Sequence, residues 1–441
     1  MAKKTNLSTV AIIGRPNVGK STLFNRLIQK RIAITSDIEG VTRDRLFYPV
    51  NWLGRTFNLI DTGGFTNNLQ IDFQAEINAQ VEIAIQEADL IIFLIDGKDG
   101  ITKKDQFVAQ KLKKIRNKKI IVAANKSDNQ ELVIASSNFY ALGFGEVIPI
   151  SSIHGIGISD LLDTIIKFLP EKNDYITEEL RIGIIGKPNV GKSTLINKVL
   201  NDDRIIVSDI SGTTRDAIDS KVTFNGENYI LTDSAGLKKN KKSLNDIEWY
   251  AELRTNLTIL NSDVILLLVD HTQEITVMDE KIMSIIKNEY KPVIVLVNKI
   301  DIMEKGQREE LESIIRAKFK FVPWINIIFI SALKGKNIAR IFKEIEQIQV
   351  NLNQEIKKSS LNEFLIDIQM VKKPPRHNGI EVKMSYITYL NVNFPHFIIF
   401  SNHPEYIHFS YVRFIENQIR NVFDFTNIPI KISFKRKHDI Y

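Results

Sequence analysis

An eight-residue glycine loop occurs twice in this chain, and no other sequence feature constrains the fold as strongly. The two copies read Gly14-Arg15-Pro16-Asn17-Val18-Gly19-Lys20-Ser21 and Gly186-Lys187-Pro188-Asn189-Val190-Gly191-Lys192-Ser193. Both fit the P-loop pattern G-x-x-x-x-G-K-[ST]. Each copy follows a short apolar run and precedes apolar residues spaced four apart, which is the order strand, loop, helix. One copy alone could be a chance glycine turn before a helix, whereas two copies predict a phosphate-binding loop in each half.

Phosphate chemistry explains the spacing within this loop. Glycines let the backbone curl so that its N–H groups point inward, and the helix N-terminus adds partial positive charge. Lys20 and Lys192 are expected to reach the outer phosphates of a nucleoside triphosphate. The hydroxyls of Ser21 and Ser193 are expected to bind Mg²⁺.

The repeat extends well beyond the glycine loops. Four further motifs recur in the same order: Gly40-Val41-Thr42-Arg43-Asp44 as Gly212-Thr213-Thr214-Arg215-Asp216, Asp61-Thr62-Gly63-Gly64 as Asp233-Ser234-Ala235-Gly236, Asn125-Lys126-Ser127-Asp128 as Asn298-Lys299-Ile300-Asp301, and Ser151-Ser152 as Ser331-Ala332. The first two recur after 172 residues, as the glycine loop does, and the last two after 173 and 180 residues. This period is too long for a solenoid and indicates a duplicated domain.

Short apolar strands alternate with amphipathic stretches inside each copy. In the first copy the predicted strands are Val10–Ile13, Phe57–Ile60, Leu90–Ile95, Ile120–Ala123 and Val147–Ile150. This alternation predicts an α/β fold, with a mostly parallel sheet and helices on both faces. The repeated motifs follow strand ends, and ligands of open α/β sheets bind there, so we expect one cleft per copy.

The expected domain organisation follows from where the repeat begins and ends. We expect a first nucleotide-binding domain at 1–169, an acidic linker at 170–179, a second such domain at 180–350 and a small α+β domain at 351–441. The last segment is predicted to contain a helix at Asn362–Ile368, strands at Glu381–Tyr386 and Phe397–Phe400, a helix at Val412–Phe423 and a strand at Ile430–Phe434.

Composition excludes several classes of function. The sequence has no cysteine, so it can form no disulfide and no zinc–thiolate site. Its longest apolar runs have six residues, too few to span a membrane, and only a few polar residues precede the first strand. We therefore expect a cytoplasmic location. The net charge of +7 is compatible with a polyanionic partner such as RNA and equally with an ordinary solvated surface.

The motif Asn-Lys-x-Asp predicts that the base is guanine. The carboxylate of Asp128 or Asp301 can accept hydrogen bonds from the ring N–H and the exocyclic amine of guanine, a donor pair that adenine lacks. Lys126 and Lys299 can lie along the base, and Ser152 and Ala332 are expected to offer backbone N–H groups to the guanine oxygen. GTP and GDP are therefore the expected ligands.

Two loops are expected to sense the terminal phosphate. Thr42 and Thr214 are predicted second protein ligands of magnesium, and Asp61 and Asp233 are predicted to hold the ion through water. Gly64 and Gly236 can offer backbone N–H groups to that phosphate. The next residues are Phe65 and Leu237, where many small GTPases keep a water-orienting glutamine.

Two consecutive domains with G-[RK]-P-N-V-G-K-S and G-x-T-R-D resemble the Der (EngA) family of bacterial ribosome-assembly GTPases. The resemblance runs along essentially the whole chain and includes Ser410–Arg420 and Pro429-Ile430, which are similar to the family's KH-like domain. It implies GTP hydrolysis, maturation of the large ribosomal subunit or its precursor, and ribosomal RNA as a partner. Related translation GTPases hold potassium with the asparagine found here as Asn17 and Asn189, so we hypothesise the same role.

The resemblance leaves some alternatives open. Residues 351–441 contain one glycine, Gly379, so the G-x-x-G loop of RNA-binding KH domains is missing, and this segment is either a packing platform or an RNA-contacting domain. The run Lys238–Lys242 either touches RNA or is only solvated. A protein-effector switch and a membrane-linked GTPase are the competing functions. We expect no DNA partner, no membrane span and a monomer.

Overall fold

A computed structural model describes residues 7–29, 47–62, 73–170, 179–201, 205–207, 219–233, 244–304, 306–374, 380–391 and 394–436. The chain divides into two compact units, residues 4–176 and residues 177–441. Within the described residues, no helix has the length and apolar character needed to cross a bilayer.

The first unit is a six-stranded α/β sheet. Its described strands are β1 (Thr9–Ile13), β2 (Phe47–Trp52), β3 (Arg55–Asp61), β4 (Leu90–Asp96), β5 (Lys119–Asn125) and β6 (Val147–Pro149). Its described helices are α1 (Lys20–Gln29), α2 (Phe73–Glu87), α3 (Lys103–Leu112), α4 (Gln130–Ala135) and α5 (Ile158–Phe168). The strand order is β2-β3-β1-β4-β5-β6, and β2 pairs antiparallel with β3 while the other neighbours are parallel. The predicted α/β class is confirmed.

Burial explains why the central strands read as continuous apolar runs. All seven residues of β4 are buried, since helices cover both faces of a parallel sheet. The helix α5 buries Ile158, Leu161, Leu162 and Ile165 along one stripe. The sheet and this helix share one apolar core.

The second unit opens with a second copy of this architecture. Its described strands are β7 (Leu180–Gly186), β8 (Ile206–Val207), β9 (Asp219–Phe224), β10 (Glu227–Asp233), β11 (Val264–Asp270), β12 (Val293–Asn298) and β13 (Asn326–Phe329). Its described helices are α6 (Lys192–Leu200), α7 (Leu244–Asn261), α8 (Val277–Asn288), α9 (Gln307–Lys318) and α10 (Ile338–Leu352). The order is β13-β12-β11-β7-β10-β9-β8, with the strands from β13 to β10 parallel and β9 and β8 antiparallel to their neighbours.

A small α+β layer completes the second unit. It consists of α11 (Lys358–Val371), β14 (Met384–Asn391), β15 (Pro395–Ser401), α12 (Phe409–Phe423) and β16 (Lys431–Lys435). β15 lies between antiparallel β14 and parallel β16. The first strand begins at Met384 rather than at the predicted Glu381, because the alternating pattern alone does not mark where pairing starts.

The α+β layer and the second α/β copy share one apolar core. Phe342 and Ile345 of α10 belong to the same buried cluster as Phe364 of α11 and Ile415 of α12. Asn351 Nδ2 donates to the carbonyl of Thr426 at 2.9 Å. The C-terminal layer is therefore packed against this copy within the second unit.

Candidate nucleotide-binding sites

The glycine loop has the same backbone geometry in both copies. Asn17 and Asn189 adopt positive φ values of 66° and 65°, and Gly19 and Gly191 adopt 95° and 103°. Asparagine tolerates this left-handed region better than most residues, and glycine adopts it freely. A Cβ on Gly19 would collide with the side-chain nitrogen of Asn125, and the same holds for Gly191 and Asn298. The loop is thus restricted to glycine at this position by backbone conformation and by space.

The loop lysine is buried and points back into the loop. Lys20 Nζ donates to the carbonyls of Gly14 at 2.7 Å and Arg15 at 3.0 Å. Lys192 Nζ donates at 2.7 Å to both equivalent carbonyls. The ammonium group therefore lies inside the loop, where the charge of a bound phosphate would be placed.

An asparagine joins the two ends of each site. Asn125 Nδ2 donates to the carbonyl of Val18 at 2.8 Å, and its Oδ1 accepts from the backbone N–H of Ser152 at 3.0 Å. Asn298 makes the same pair of bonds, to Val190 and Ala332, at 2.8 and 2.9 Å. Since these N–H groups already donate to asparagine, the predicted bond from Ser152 or Ala332 to guanine would have to share the N–H.

The carboxylate predicted to read guanine is oriented by a serine in both copies. Ser151 Oγ donates to Asp128 Oδ1 at 2.7 Å, and Ser331 Oγ donates to Asp301 Oδ1 at 2.5 Å. Hydrogen bonds from Lys98 and then Ser151 lower the pKa of Asp128, and the bond from Ser331 lowers that of Asp301. Both carboxylates are therefore charged at neutral pH, ready to accept two hydrogen bonds.

The lysine of each Asn-Lys-x-Asp motif is anchored by an acidic residue that none of the repeated motifs contains. Lys126 Nζ lies 2.5 Å from buried Asp96, and Lys299 Nζ lies 2.5 Å from buried Asp270. Burial raises the pKa of Asp270, but the hydrogen bond from Lys299 and those from Thr272 outweigh it and leave the pKa lowered. The available signal was an aspartate directly after the longest apolar run of each half.

Several predicted residues contribute backbone or packing instead of a side chain that faces a ligand. Val18 and Val190 are buried in the core, and Ser127 Oγ donates to the carbonyl of Ala124 at 3.0 Å. Ile300 packs against a core cluster. Thr62 is buried and its hydroxyl donates to the carbonyl of Ile12. Pro16 and Pro188 are part of the loop surface, as are the exposed Asn17, Ser21, Asn189 and Ser193.

Part of the predicted site lies outside the described residues. These residues are Thr42, Gly63, Gly64, Phe65, Thr214, Ser234, Ala235, Gly236, Leu237 and Lys238–Lys242. Asp61 and Asp233 are described only by their backbone, at the ends of β3 and β10.

The second residue of each glycine loop ties the loop to a helix later in the chain, α3 in the first copy and α8 in the second. Arg15 Nε lies 3.3 Å from Asp105, and Lys187 Nζ lies 2.5 Å from Asp279. Both aspartates also close capping boxes, with Thr102 on α3 and with Thr276 on α8. The helix N-terminus and the loop are thereby held together.

The helix α2 also touches the first glycine loop. Gln80 accepts from the backbone N–H of Gly14 at 3.2 Å, and Glu76 lies 3.8 Å from Lys20 Nζ. Neither contact could be predicted from the sequence, because neither Gln80 nor Glu76 belongs to a repeated motif.

Two α/β sheets, each with a P-loop and an Asn-Lys-x-Asp motif at the carboxyl ends of its strands, define a tandem P-loop GTPase. A family model described as "50S ribosome-binding GTPase" matches residues 9–126 and 181–299, and one described as "KH-domain-like of EngA bacterial GTPase enzymes, C-terminal" matches residues 355–435.

Curated relatives extend the match over nearly the whole chain. The GTPase Der of Caldanaerobacter subterraneus subsp. tengcongensis is 44% identical, over 97% of this chain and 98% of its own length. GTPase Der of Leuconostoc citreum is also 44% identical, over 96% and 98%, and that of Streptococcus pneumoniae strain Hungary19A-6 is 43% identical, over 98% and 100%. The chain therefore belongs to the Der family of GTPases, and the resemblance inferred from the motifs is confirmed.

Proposed function

We propose that this GTPase acts in assembly of the large ribosomal subunit and binds ribosomal RNA. The observation that carries the proposal is the match to proteins named GTPase Der over 97% of the chain, with both nucleotide sites included. The description "50S ribosome-binding GTPase" attached to the matching family model supports the choice of the large subunit.

In this proposal the residues of each site bind and orient a Mg²⁺–GTP complex. The ammonium groups of Lys20 and Lys192 donate to loop carbonyls at 2.7–3.0 Å. When nucleotide is bound, they would also donate hydrogen bonds to its outer phosphates. Asp128 and Asp301 select guanine. The proposed magnesium ligands are Ser21, Thr42 and Asp61 in the first site and Ser193, Thr214 and Asp233 in the second.

The donor chemistry of these sites fits magnesium. Ser21 and Ser193 are exposed hydroxyls in the first turn of α1 and α6, and magnesium prefers such hard oxygen ligands. The ion would neutralise charge on the phosphates as it develops. Gly64 and Gly236 are proposed to donate N–H groups to the terminal phosphate, so that its loss changes the loops that carry them.

Potassium is the proposed aid to hydrolysis. Asn17 and Asn189 are exposed in the loop, where their amide oxygens can bind a monovalent cation beside the phosphates. We expect hydrolysis at roughly 10⁻⁴ to 10⁻² per second without an activator, and faster in potassium than in sodium at equal ionic strength. Equal rates in the two salts, or full potassium activation in an Asn17→Ala, Asn189→Ala double variant, would reject this role.

The domain assignment is part of the proposal. We propose GTPase domains at 1–169 and 180–350, a linker at 170–179, a KH-like domain at 351–441, and a monomer that works in the cytoplasm. The family-model matches at 9–126, 181–299 and 355–435 fall inside the three proposed domains.

Sedimentation with purified ribosomal subunits tests the function. The protein should co-sediment with the large subunit when loaded with a non-hydrolysable GTP analogue and should dissociate with GDP. An Asp128→Asn, Asp301→Asn double variant is the control and should not respond to either nucleotide. Absence of co-sedimentation in every nucleotide state would instead favour a switch that acts on protein effectors.

A further inference from the structure

The first GTPase domain carries a dense cluster of positive charge outside its repeated motifs. Residues 103–119 contain eight lysines and arginines, and Asp105 is the only acidic residue among them. We call these eight side chains the basic surface: Lys103, Lys104, Lys111, Lys113, Lys114, Arg116, Lys118 and Lys119. They lie on α3, on the turn that follows it and at the first position of β5.

The fold does not require this charge. The second copy builds the same helix and strand from residues 277–293, which contain three lysines and three acidic residues. Both helices start with the same capping box and bury the same kind of apolar stripe, such as Val108 and Leu112 in α3. The difference in charge between the two copies is therefore free to serve a function of the first copy.

Two lysines of the basic surface oppose the dipole of their own helix. Lys103 and Lys104 occupy the first turn of α3, where the helix macrodipole favours acidic residues and disfavours cations. The corresponding turn of α8 carries Asp279 and Glu280. Helix stability thus does not explain the two lysines, whereas an anionic partner does.

Most of the cations are directed to solvent. Lys103, Lys104, Lys113, Lys114, Arg116 and Lys119 are exposed, and among the described residues none of these six forms an ion pair within 4.0 Å. Lys118 differs, because its Nζ donates to the carbonyl of Ala84 at 3.0 Å and so closes the end of α2.

Aromatic rings support several of the lysines. Lys104 lies 5.0 Å from the ring centre of Phe73, Lys113 lies 5.9 Å from that of Phe144, and Lys119 lies 4.3 Å from that of Phe168. Such cation–π contacts position the ammonium groups without neutralising their charge. Because the rings are already covered by lysines, they are poorly placed to stack on nucleic acid bases.

The geometry points to RNA as the partner class, and we propose that the basic surface docks on the phosphate backbone of folded ribosomal RNA. This inference rests on the proposed function, since it names the surface through which the first domain holds that RNA. Lys103 and Lys113 are ten residues apart along the helix axis, which separates them by about 15 Å. The surface therefore offers cations to several phosphates at once, a mode of contact that fixes position without reading sequence.

An anionic membrane fits the same surface less well. Helices that lie on membranes insert an apolar face, but the apolar face of α3 is buried in the domain core at Val108, Ala109 and Leu112. Residues 103–119 include no exposed large hydrophobic side chain.

The test uses full-length protein with Lys103→Gln, Lys104→Gln, Lys113→Gln and Lys114→Gln combined. Affinity for protein-free large-subunit ribosomal RNA is measured from 50 to 300 mM salt. Each lost phosphate contact lowers the slope of log affinity against log salt by about 0.7–0.9, so the variant should lose about 3 units of slope and at least tenfold in affinity at low salt. Its nucleotide affinity and its hydrolysis rate without RNA should equal those of the wild type.

Matched variants separate surface charge from folding. Lys281→Gln, Lys287→Gln, Lys318→Gln and Lys320→Gln remove the same charge from exposed positions of the second copy and should change the slope much less. Replacing Lys103, Lys104, Lys113 and Lys114 by arginine instead should restore RNA affinity. Equal slopes for the two glutamine variants would overturn the proposal. It would also be overturned if the glutamine variant of the basic surface bound RNA as the wild type does but no longer bound phosphatidylglycerol vesicles. If the glutamine variant of the basic surface co-sediments with large subunits as the wild type does at every salt concentration, the surface proposal fails while the assembly function stands.

Discussion

Single side chains distinguish the two otherwise similar guanine sites. In the first site Lys98 Nζ lies 2.7 Å from Asp128, the carboxylate proposed to read guanine. In the second site the equivalent residue is Thr272, which donates to Asp270 at 2.8 Å and leaves Asp301 to Ser331. Guanine bound in the first site would therefore share Asp128 with Lys98. We expect the two sites to differ in their affinity for guanine nucleotides for this reason.

If Asp301 reads guanine as proposed, exchange of its carboxylate for an amide should change the base preference of the second site. Asp301→Asn presents an N–H donor where guanine also presents donors, so guanine affinity at the second site should fall by about 100-fold or more, and xanthine nucleotides should bind instead. Competition between GDP and xanthosine diphosphate measures this. Ser331→Ala is the control: it removes the 2.5 Å bond that orients Asp301 but keeps the carboxylate, so it should weaken guanine binding without admitting xanthine.

We expect a partly buried histidine, His396, to make the C-terminal layer sensitive to acid. Burial first, and then the charges of Lys431 and Lys435, lower the pKa of His396 to about 4 from its ordinary value of 6.5. Between pH 4 and pH 6.5, His396 is therefore protonated in the unfolded chain and neutral in the folded chain. Stability from neutral His396 is fully present above pH 6.5 and is lost as the pH falls through that value toward 4.

The C-terminal layer should accordingly lose about 2 kcal/mol of stability between pH 7.5 and pH 5. Denaturation of the wild type at both pH values, compared with His396→Gln, measures this loss. The variant keeps a polar group near Ser433, whose hydroxyl lies 2.7 Å from the histidine ring, and should lack the acid-dependent part. An unchanged pH dependence in the variant would reject the assignment to His396.

At the scale of elements, each site is a set of strand ends joined by hydrogen bonds. Asn125 at the end of β5 bonds the glycine loop on one side and the loop of Ser152 on the other, at 2.8 and 3.0 Å. The carboxyl ends of parallel strands meet at one sheet edge, so a single side chain can span two loops. The asparagine thus shapes the phosphate and base ends together.

Asn125→Ala should weaken nucleotide binding at the first site by about 2–4 kcal/mol, since it leaves buried polar groups on both loops without their partner. Measured affinity of the first site, with the second site disabled by Asp301→Asn, gives the loss. Ser127→Ala removes a hydroxyl that bonds only the carbonyl of Ala124 and should cost far less. Equal losses of nucleotide affinity in the two variants would show that the hydrogen bonds from Asn125 to the two loops do not support nucleotide binding.

The sequence predicted the parallel strands well because each is a buried apolar run that ends at a motif. It did not predict β2 or β8, which lie at sheet edges and pair antiparallel, since β2 contains a proline and an asparagine and β8 spans two residues. The contacts of Gln80 and Asp105 with the glycine loop were equally hidden. They join residues 66 and about 90 positions apart, and only tertiary packing brings them together.

At the scale of the whole molecule, the two GTPase copies differ in how independent they are. Residues 4–176 form a compact unit of their own, whereas the second copy shares its core with the C-terminal layer. Helix α10 contributes Phe342 and Ile345 to this common core. Separation of the second copy from the layer would therefore expose apolar surface to water.

Fragments should reproduce this difference. A fragment of residues 1–176 should fold and bind guanine nucleotide with close to its affinity in the full chain. A fragment of residues 177–350 should aggregate or melt at least about 10 °C below the fragment of residues 177–441, because loss of the shared core costs several kcal/mol. Thermal melts with GDP present compare the three fragments. Equal melting temperatures for the fragments 177–350 and 177–441 would contradict a shared core.

The number of guanine nucleotides bound per chain is the decisive test of whether each GTPase copy forms one guanine-specific site. Calorimetric titration of the nucleotide-free protein with GDP and magnesium should give two sites, reduced to one by Asp128→Asn or by Asp301→Asn and to none by both together. ATP should compete at neither site. A single site in the wild type, or displacement of GDP by ATP at similar concentrations, would contradict the presence of two guanine-specific sites.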